Sequence, residues 1–399
     1  MILFIYDGIK AKHPSVLSRV YPVKGDMSLS ELGLSQEHRN LLSEKVNIVF
    51  HVAATVKFNE PLHVAVNVNT KGTARVVELW NELRHPISFV HVSTAYSNAN
   101  LQEIEEKVYT TSLEPSEVID ICDKLDRTSI NLIEKRILES YPNTYSFSKN
   151  LAEQIVASKS KDLPVAIVRP SLIGASLEEP CPGWIQSISA LTGAYLLIGK
   201  GCATAIWGRR GARLDVVPVD FVVDTIICTA WHVTLHRDRE VKVYNCTSNA
   251  TPFKCGQMKD AMVKCSIEKP LNDTLWYPGC PMIANRYIYS VLSVIPHILP
   301  ALVIDIFLKL RGGKPVDNSF DLARKVKLLN DSDMVKLDLR HMDWEKYVAI
   351  YLMGIRKFIL KEEFKSTARQ RLSRLYCIHQ IIKISGIIIL LWIIYRIVY

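Results

Sequence analysis

The chain of 399 residues is sparing in several features that would place it quickly. Its nine cysteines are scattered, with no Cys-x-x-Cys pair and no His/Cys cluster at zinc spacing. A disulfide framework and a bound metal are therefore not expected, and most of the thiols read as small buried hydrophobes of a reducing compartment. Glycine and proline number only 17 and 18, far too few for a collagenous or linker-like chain. With 48% apolar and 22% charged residues, wholesale disorder is excluded as well. The apolar opening Met1–Asp7 is too short and wrongly flanked for a signal peptide. Up to residue 70 the only glycines are Gly8, Gly25 and Gly33, so no glycine-rich phosphate-binding turn lies there.

What is present is alternation. Short β-branched runs at Val20–Val23, Val46–Ala53, Ile87–Ser93, Val165–Ile173 and Val241–Cys246 read as buried parallel strands. Between them, residues 61–83 and 143–158 have helical periodicity, and 116–139 reads as a longer helical insertion. Strands alternating with helices predict an α/β parallel sheet over residues 1–250. Residues 251–278 show no clear period. Pro296 and Pro300 bend the apolar stretch 287–310, which reads as a kinked core helix, with a bent helix pair lining an acyl groove or touching the membrane as the alternative. Residues 320–360 look helical, with Trp344, Tyr347, Tyr351 and Phe358 forming an apolar stripe.

The net charge of +9 is concentrated near the end. Seven Lys/Arg lie between Arg356 and Arg374 against two acids, directly before the apolar segment 377–399. The charge-free heart of that segment, Ile384 to Tyr395, is twelve residues, short of a full span, but Lys383 and Arg396 can snorkel at its ends. The expectation is a single-pass C-terminal membrane helix with the main body facing the cytosol. A basic block in that position suits a membrane surface, and without interleaved aromatics it does not suit nucleic acid.

The sharpest chemical signal is Tyr145-Ser-Phe-Ser-Lys149 on the 143–158 helix. Four residues apart, the phenol and the ammonium share a helix face. A neighbouring cation favours phenolate, so the pair is expected to exchange a proton near neutral pH. One strand earlier, Ser93 and Thr94 would emerge at a strand's carboxyl end, where doubly wound sheets bind ligands, and a later strand runs into Arg169-Pro170-Ser171. Ala53 and Ala54 end another strand with small side chains that let a cofactor approach the backbone. Asn69 could hold the strand loops, Gly72 within a helix suggests close packing, and Asp26 follows Val20–Val23.

These pieces resemble the extended short-chain dehydrogenase/reductase family, and more closely its alcohol-forming fatty acyl-CoA reductase branch. The motifs that carry the resemblance include Gly25-Asp26 before Leu32-Gly33-Leu34-Ser35, and His51-Val52-Ala53-Ala54-Thr55-Val56-Lys57-Phe58. Others are Phe89-Val90-His91-Val92-Ser93-Thr94-Ala95-Tyr96, and Arg169-Pro170-Ser171 leading to Glu179-Pro180-Cys181-Pro182-Gly183-Trp184. Asp215-Val216-Val217-Pro218-Val219-Asp220 and Tyr244-Asn245-Cys246-Thr247-Ser248 complete the set.

The resemblance implies a Rossmann-like sheet, a mostly helical C-terminal domain over 251–376 and a membrane anchor at 377–399. It also implies NADPH-dependent reduction of long-chain acyl-CoA to fatty alcohol through an enzyme-bound aldehyde, on an intracellular membrane of the endoplasmic reticulum or peroxisome. Tyr145 would be the proton donor, Lys149 its partner and the ribose ligand, and Ser93 or Thr94 the oxyanion donor. Asp26, Ala53, Ala54, Asn69, Arg169 and Pro170 would line the cofactor cleft.

One departure is large. The family's Thr-Gly-x-x-Gly-x-x-Gly loop has no counterpart in the sequence, so the chain reads as N-terminally truncated, entering the fold at the third strand. A lipid-binding or regulatory short form without catalysis, or an extended reductase acting on a sterol, are the alternatives that share this pattern.

Overall fold

The computed structural model describes residues 6, 10–11, 13–160, 163–188, 190–203, 205–236, 240–248, 251, 253–293 and 342–398. They divide into two compact units, one from Met1–Ile173 and Asp215–Thr251, the other from Gly174–Leu214, Pro252–Asp331 and His341–Tyr399.

The first unit is built on an all-parallel sheet of four strands, β1 (Ile48–His51), β2 (Ser88–Val92), β3 (Val165–Pro170) and β4 (Lys242–Cys246), in the spatial order of the chain. Its register sets His51 beside His91, and Val92 beside Val168. β2 and β3 are buried along their whole length, which is why they read as unbroken apolar runs rather than alternations.

Among the described residues, six longer helices accompany the strands in this unit. α1 (Gln36–Lys45) is N-capped by Ser35, whose hydroxyl accepts from the His38 amide. α2 runs continuously as Leu62–Ala65, a π-helical stretch Val66–Lys71, and Gly72–Asn81. The predicted insertion is two helices, α3 (Pro115–Lys124) and α4 (Arg127–Leu138), because Asp126 caps a fresh start by accepting from the Thr128 and Ser129 amides. α5 (Thr144–Lys159) and α6 (Val219–His236) complete the set.

Trp80 and Val77 of α2, Phe89 of β2, Ile167 of β3 and Val156 of α5 make one core. Leu62, Val118, Ile130, Phe147 and Leu151 make a second beneath α3 and α4. Removing a ring such as Phe89 from such a core costs about 3–5 kcal/mol.

One expected strand is absent among the described residues. Val20–Val23 is extended but pairs with nothing, and Val20 and Tyr21 are exposed. β-branched composition favours a strand only where a ladder is there to receive its backbone groups. β1 is accordingly an edge strand of the described sheet. Ile48, Phe50 and Val52 are 45%, 44% and 57% exposed, an unusual load of apolar surface for an edge.

In the second unit, the helices Ala190–Gly199, Cys255–Glu268 and Trp344–Gly354 share a core around Tyr195 and Tyr351, stacked at 4.5 Å and 7°. Tyr351 exchanges a hydrogen bond with Thr192 Oγ1 (3.0 Å), and the Tyr347 hydroxyl donates to Ala175 O (2.8 Å). Trp344, Tyr347 and Tyr351 are thus core residues, as their spacing predicts. Gly354 meets Gly183 so closely that a Cβ on it would sit 1.8 Å from Gly183 O, which makes glycine obligatory there. The Cys255–Glu268 helix escaped the sequence pattern, since its Lys, Asp and Ser residues interrupt the apolar stripe.

Most of the expected helices at 287–310 and 320–341 lie outside the described residues; of these stretches only the helix Arg286–Ser293 is seen. The segment expected to cross a membrane belongs to a 32-residue helix, Thr367–Val398. Among the described residues no helix is long and apolar enough to cross a membrane. Positions 386–387, 389–390, 393–394 and 397–399 are outside those whose surroundings are described. Of the nine cysteines, none is in a disulfide and only Cys246, Cys265 and Cys280 are buried, so the expectation that most are core hydrophobes fails.

Candidate active site

The β2–β3 ladder continues past the last residue of β2. Ser93 N donates to Val168 O at 2.7 Å and Ala95 N to Pro170 O at 2.8 Å. Thr94 sits between these two anchored residues, buried, its Oγ1 accepting from the Tyr96 amide at 3.2 Å. Its side chain is thereby fixed at a strand's carboxyl end, as the sequence pattern requires.

α5 brings up the other half. Asn143 caps the helix by accepting from the Ser146 amide (2.8 Å), and the Thr144 hydroxyl donates to Glu60 O (2.7 Å) and Phe58 O (3.1 Å). Tyr145 follows in the first turn, its ring 5.6 Å from that of Phe58 and its phenol near enough to Thr94 for that hydroxyl to act on its pKa. Burial pushes the phenol up to about 12, partly countered by the neighbouring Thr94 hydroxyl.

Lys149 lies one turn further on, only 2% exposed. Its ammonium donates to Val92 O at 2.9 Å and lies 3.3 Å from His91 Nε2. Burial lowers it to about 8, opposed by the Glu153 charge. This corrects one expectation. The ammonium is held by the end of β2 and by His91, so the phenol in this arrangement is raised by burial rather than acidified by its neighbour. The hydroxyl–phenol dyad of Thr94 and Tyr145 is what the fold assembles directly.

Ser93 and Arg169 are engaged elsewhere. Arg169 and Glu153 form a fully buried ion pair, with Nη2–Oε2 at 2.6 Å and Nε–Oε1 at 2.9 Å, and Ser93 Oγ donates to the same carboxylate. Arg169 also donates to Glu105 O (3.0 Å) and Lys107 O (2.7 Å), which staples the loop after β2 to β3 and α5. A guanidinium with these partners braces the site from behind rather than reaching into a cleft. Pro170 serves through its carbonyl, as the acceptor for Ala95.

Asn69 does hold a strand loop. Its side chain accepts from Thr55 N (2.9 Å) and donates to Thr55 O (3.2 Å) and Ser148 Oγ (3.0 Å), clasping the turn after β1 onto α5. It can reach because it lies in the π-helical stretch of α2, a distortion frequent at functional sites. The following Gly72 leaves room for Met27, whose Cε would be 2.7 Å from an added Cβ. Within the clasped turn Ala53 is exposed and Ala54 half-buried, small side chains beside the sheet's carboxyl edge. Asp26 is exposed and spent locally, accepting from the Ser28 amide (2.8 Å) and hydroxyl (2.7 Å), which lowers its pKa.

Sequence reasoning missed three side chains. Glu153 repeats the four-residue spacing from Tyr145 and Lys149, so the face was legible one turn further. His91 and His51 were hidden in apolar strand runs; their rings lie 4.9 Å apart and His51 Nε2 lies 3.0 Å from Thr73 Oγ1. Burial, and then the Lys149 charge, hold both well below the ordinary imidazole range, His51 at about 3.

The residues present fit the nicotinamide end of a dinucleotide: a hydroxyl–phenol dyad, a buried amine and a clasped small-residue turn at adjacent strand ends. A glycine-rich turn to cradle the pyrophosphate is not among the described residues. Fold and dyad together define a nicotinamide-dependent reductase of the extended short-chain type. An NAD-binding family described as male sterility protein matches residues 4–226. Fatty acyl-CoA reductase 1 of Rattus norvegicus is 32% identical over 400 residues, covering 93% of this chain and 78% of the relative. Fatty acyl-CoA reductase 2 of Homo sapiens is 30% identical over 418 residues, covering 97% and 81%. Among solved structures, the terminal R domain from the myxalamid PKS-NRPS biosynthetic pathway has a TM-score of 0.57 at 17% identity, covering 86% of this chain and 76% of that one, a likeness of fold. The chain belongs to the fatty acyl-CoA reductase family.

Proposed function

We propose that this chain reduces long-chain fatty acyl-CoA to the fatty alcohol with NADPH. The observation that carries the reading is the meeting of the Thr94 hydroxyl and the Tyr145 phenol at the carboxyl end of β2, with Lys149 one turn along α5. It is supported by similarity to fatty acyl-CoA reductases over more than nine-tenths of the chain.

The nicotinamide, when bound, supplies the hydride in each of two rounds. In the first, the Thr94 hydroxyl and the Tyr145 phenol donate to the thioester oxygen as it gains charge, a stabilisation available only from fixed donors. Collapse breaks the carbon–sulfur bond, releases CoA as the thiol after protonation, and leaves the aldehyde. In the second, the aldehyde oxygen takes the same place and Tyr145 gives it a proton, completing the alcohol. Two hydrides and two protons are consumed for each thioester. Lys149 would hold the nicotinamide ribose, Asn69 keeps the Ala53–Ala54 turn in place, and the Ser93–Glu153–Arg169 network fixes the end of β2.

The preference for NADPH rests on the family resemblance. We further propose that the Thr367–Val398 helix attaches the protein to an intracellular membrane with the reductase unit on the cytosolic side. Its exposed Ile381, Ile388, Leu391 and Trp392 and the preceding basic run support this.

Purified protein incubated with palmitoyl-CoA and NADPH is expected to yield hexadecanol by gas chromatography, with two NADPH oxidised per alcohol. Tyr145→Phe should lower kcat by about 10²–10⁴. A folded protein that binds NADPH yet forms neither aldehyde nor alcohol would refute the substrate assignment. A folded protein that binds no NADPH, but does bind fatty acyl chains, would favour a lipid-binding role without catalysis.

A further inference from the structure

We propose that the cavity between the turn at Asn272 and the first turns of the Thr367–Val398 helix binds the phosphate of an anionic lipid headgroup. The proposal rests on the reading of that helix as a membrane attachment, and adds to it a defined site with a chemical preference.

The cavity is a half-open depression of about 520 Å³, far more than a lone ion needs. Lys365, Arg371 and Arg374 line it together with a single acid, Asp273. Among the described residues, none of these three cations is engaged by a carboxylate. The neighbouring Glu362 is committed otherwise. Glu362 accepts from the Asn272 amide at 3.0 Å and lies 3.8 Å from Arg356 Nε. An unpaired surface lysine or arginine is ordinary, but three converging on one concavity with one counter-charge leave it net positive by about two charges, which favours an anion.

The walls are held in shape. Asn272 Nδ2 donates to Glu363 O at 2.7 Å, and its Oδ1 accepts from the Lys365 amide at 3.3 Å, so the turn and the strap before the helix form one frame. Lys365 O accepts from the Ala368 amide at 3.0 Å, which carries that frame into the helix. Thr367 and Gln370 add hydrogen-bonding side chains to the same wall. Arginine forks and a lysine point charge together can serve the several oxygens of a phosphate.

Position argues for a lipid as the source. Arg374 and Trp392 are on one helix, about 27 Å apart at 1.5 Å per residue. The exposed side chains between them include Tyr376, Ile378, Ile381, Ile384, Ile388 and Leu391. A headgroup in the cavity would have its acyl chains beside this apolar surface. Asp273 in the lining repels excess negative charge, so a single phosphate monoester or diester is favoured over a polyphosphate.

The test uses the full chain and vesicles sedimented at physiological salt. Vesicles of phosphatidylcholine with one-fifth phosphatidate should bind at least tenfold more tightly than phosphatidylcholine alone. Lys365→Gln/Arg371→Gln/Arg374→Gln should lose that increment while keeping its partition into neutral vesicles. The control Lys357→Gln/Lys361→Gln/Arg369→Gln removes equal charge outside the cavity and should keep most of the increment. Equal loss in the two triple variants would overturn the site in favour of diffuse attraction. Absence of binding to every vesicle would end the membrane reading. Titration with soluble dihexanoyl phosphatidate then decides the cavity by itself: saturable binding lost only in the cavity triple supports it, and no binding refutes it. Competition by inorganic phosphate at concentrations equal to the lipid would show that the headgroup's source is not a membrane, and would overturn the lipid assignment.

Discussion

Lys149 makes the stability of the reductase unit depend on pH in a calculable way. It is 2% exposed, and burial lowers its pKa from an ordinary 10.5 to about 8. The unfolded chain therefore binds this proton more tightly than the folded one. Stability must rise with pH across the window from about 8 to 10.5, and the full penalty, about 3 kcal/mol, is present below it. Between pH 7 and 9.5 the recovered part is about 2 kcal/mol. His51, at about 3, and His91, held well below its ordinary range, stay neutral throughout, so they add no slope. Tyr145, pushed up to about 12, keeps its proton in the fold. Other groups that titrate there do so equally in a variant lacking only the amine. The assay is urea denaturation of the wild type and Lys149→Met at pH 7, 8, 9 and 9.5, followed by tryptophan fluorescence. The difference in unfolding free energy between the two should shift in favour of the wild type by about 2 kcal/mol from pH 7 to 9.5. Loss of the hydrogen bond to Val92 O adds an offset that does not vary with pH. Parallel profiles would refute the reasoning, because they would mean that the amine is solvated or that its charge is fully compensated.

Other outcomes follow from single contacts. Glu153→Gln leaves the Arg169 guanidinium buried without its counter-charge and should destabilise by about 3–5 kcal/mol in urea titration; a loss under about 1 kcal/mol would mean that water reaches the pair. Asn69→Ala removes the clasp on Thr55, and the Thr55 amide should exchange with deuterium markedly faster, an opening cost lower by about 1–3 kcal/mol. Gly354→Ala forces a Cβ into Gly183 O, and a calorimetric loss of about 2 kcal/mol or more is expected.

The main features of the site were legible because each has a local signature. Tyr145 and Lys149 are four apart on a helix that Asn143 visibly caps, and Thr94 follows an apolar run at its carboxyl end. The roles inside that set were less legible. Arg169 and Ser93 share the neighbourhood, and only their common partner Glu153 assigns them to bracing. Val20–Val23 has strand composition, yet pairing is a property of two segments, and no ladder meets it among the described residues. The break at Asp126 was readable as a cap, while the Cys255–Glu268 helix lacked the period that would reveal it.

The sequence by itself determined the alternation of strands and helices, the dyad-bearing helix and the basic run before an apolar end, since hydrophobic period, caps and charge blocks act over a few residues. Tertiary structure decided where the Lys149 charge is spent, that the phenol is raised rather than acidified, and that three cations separated by up to nine positions share one cavity. Those outcomes depend on burial and on partners distant in the chain, and neither burial nor a distant partner is written in any short window of residues.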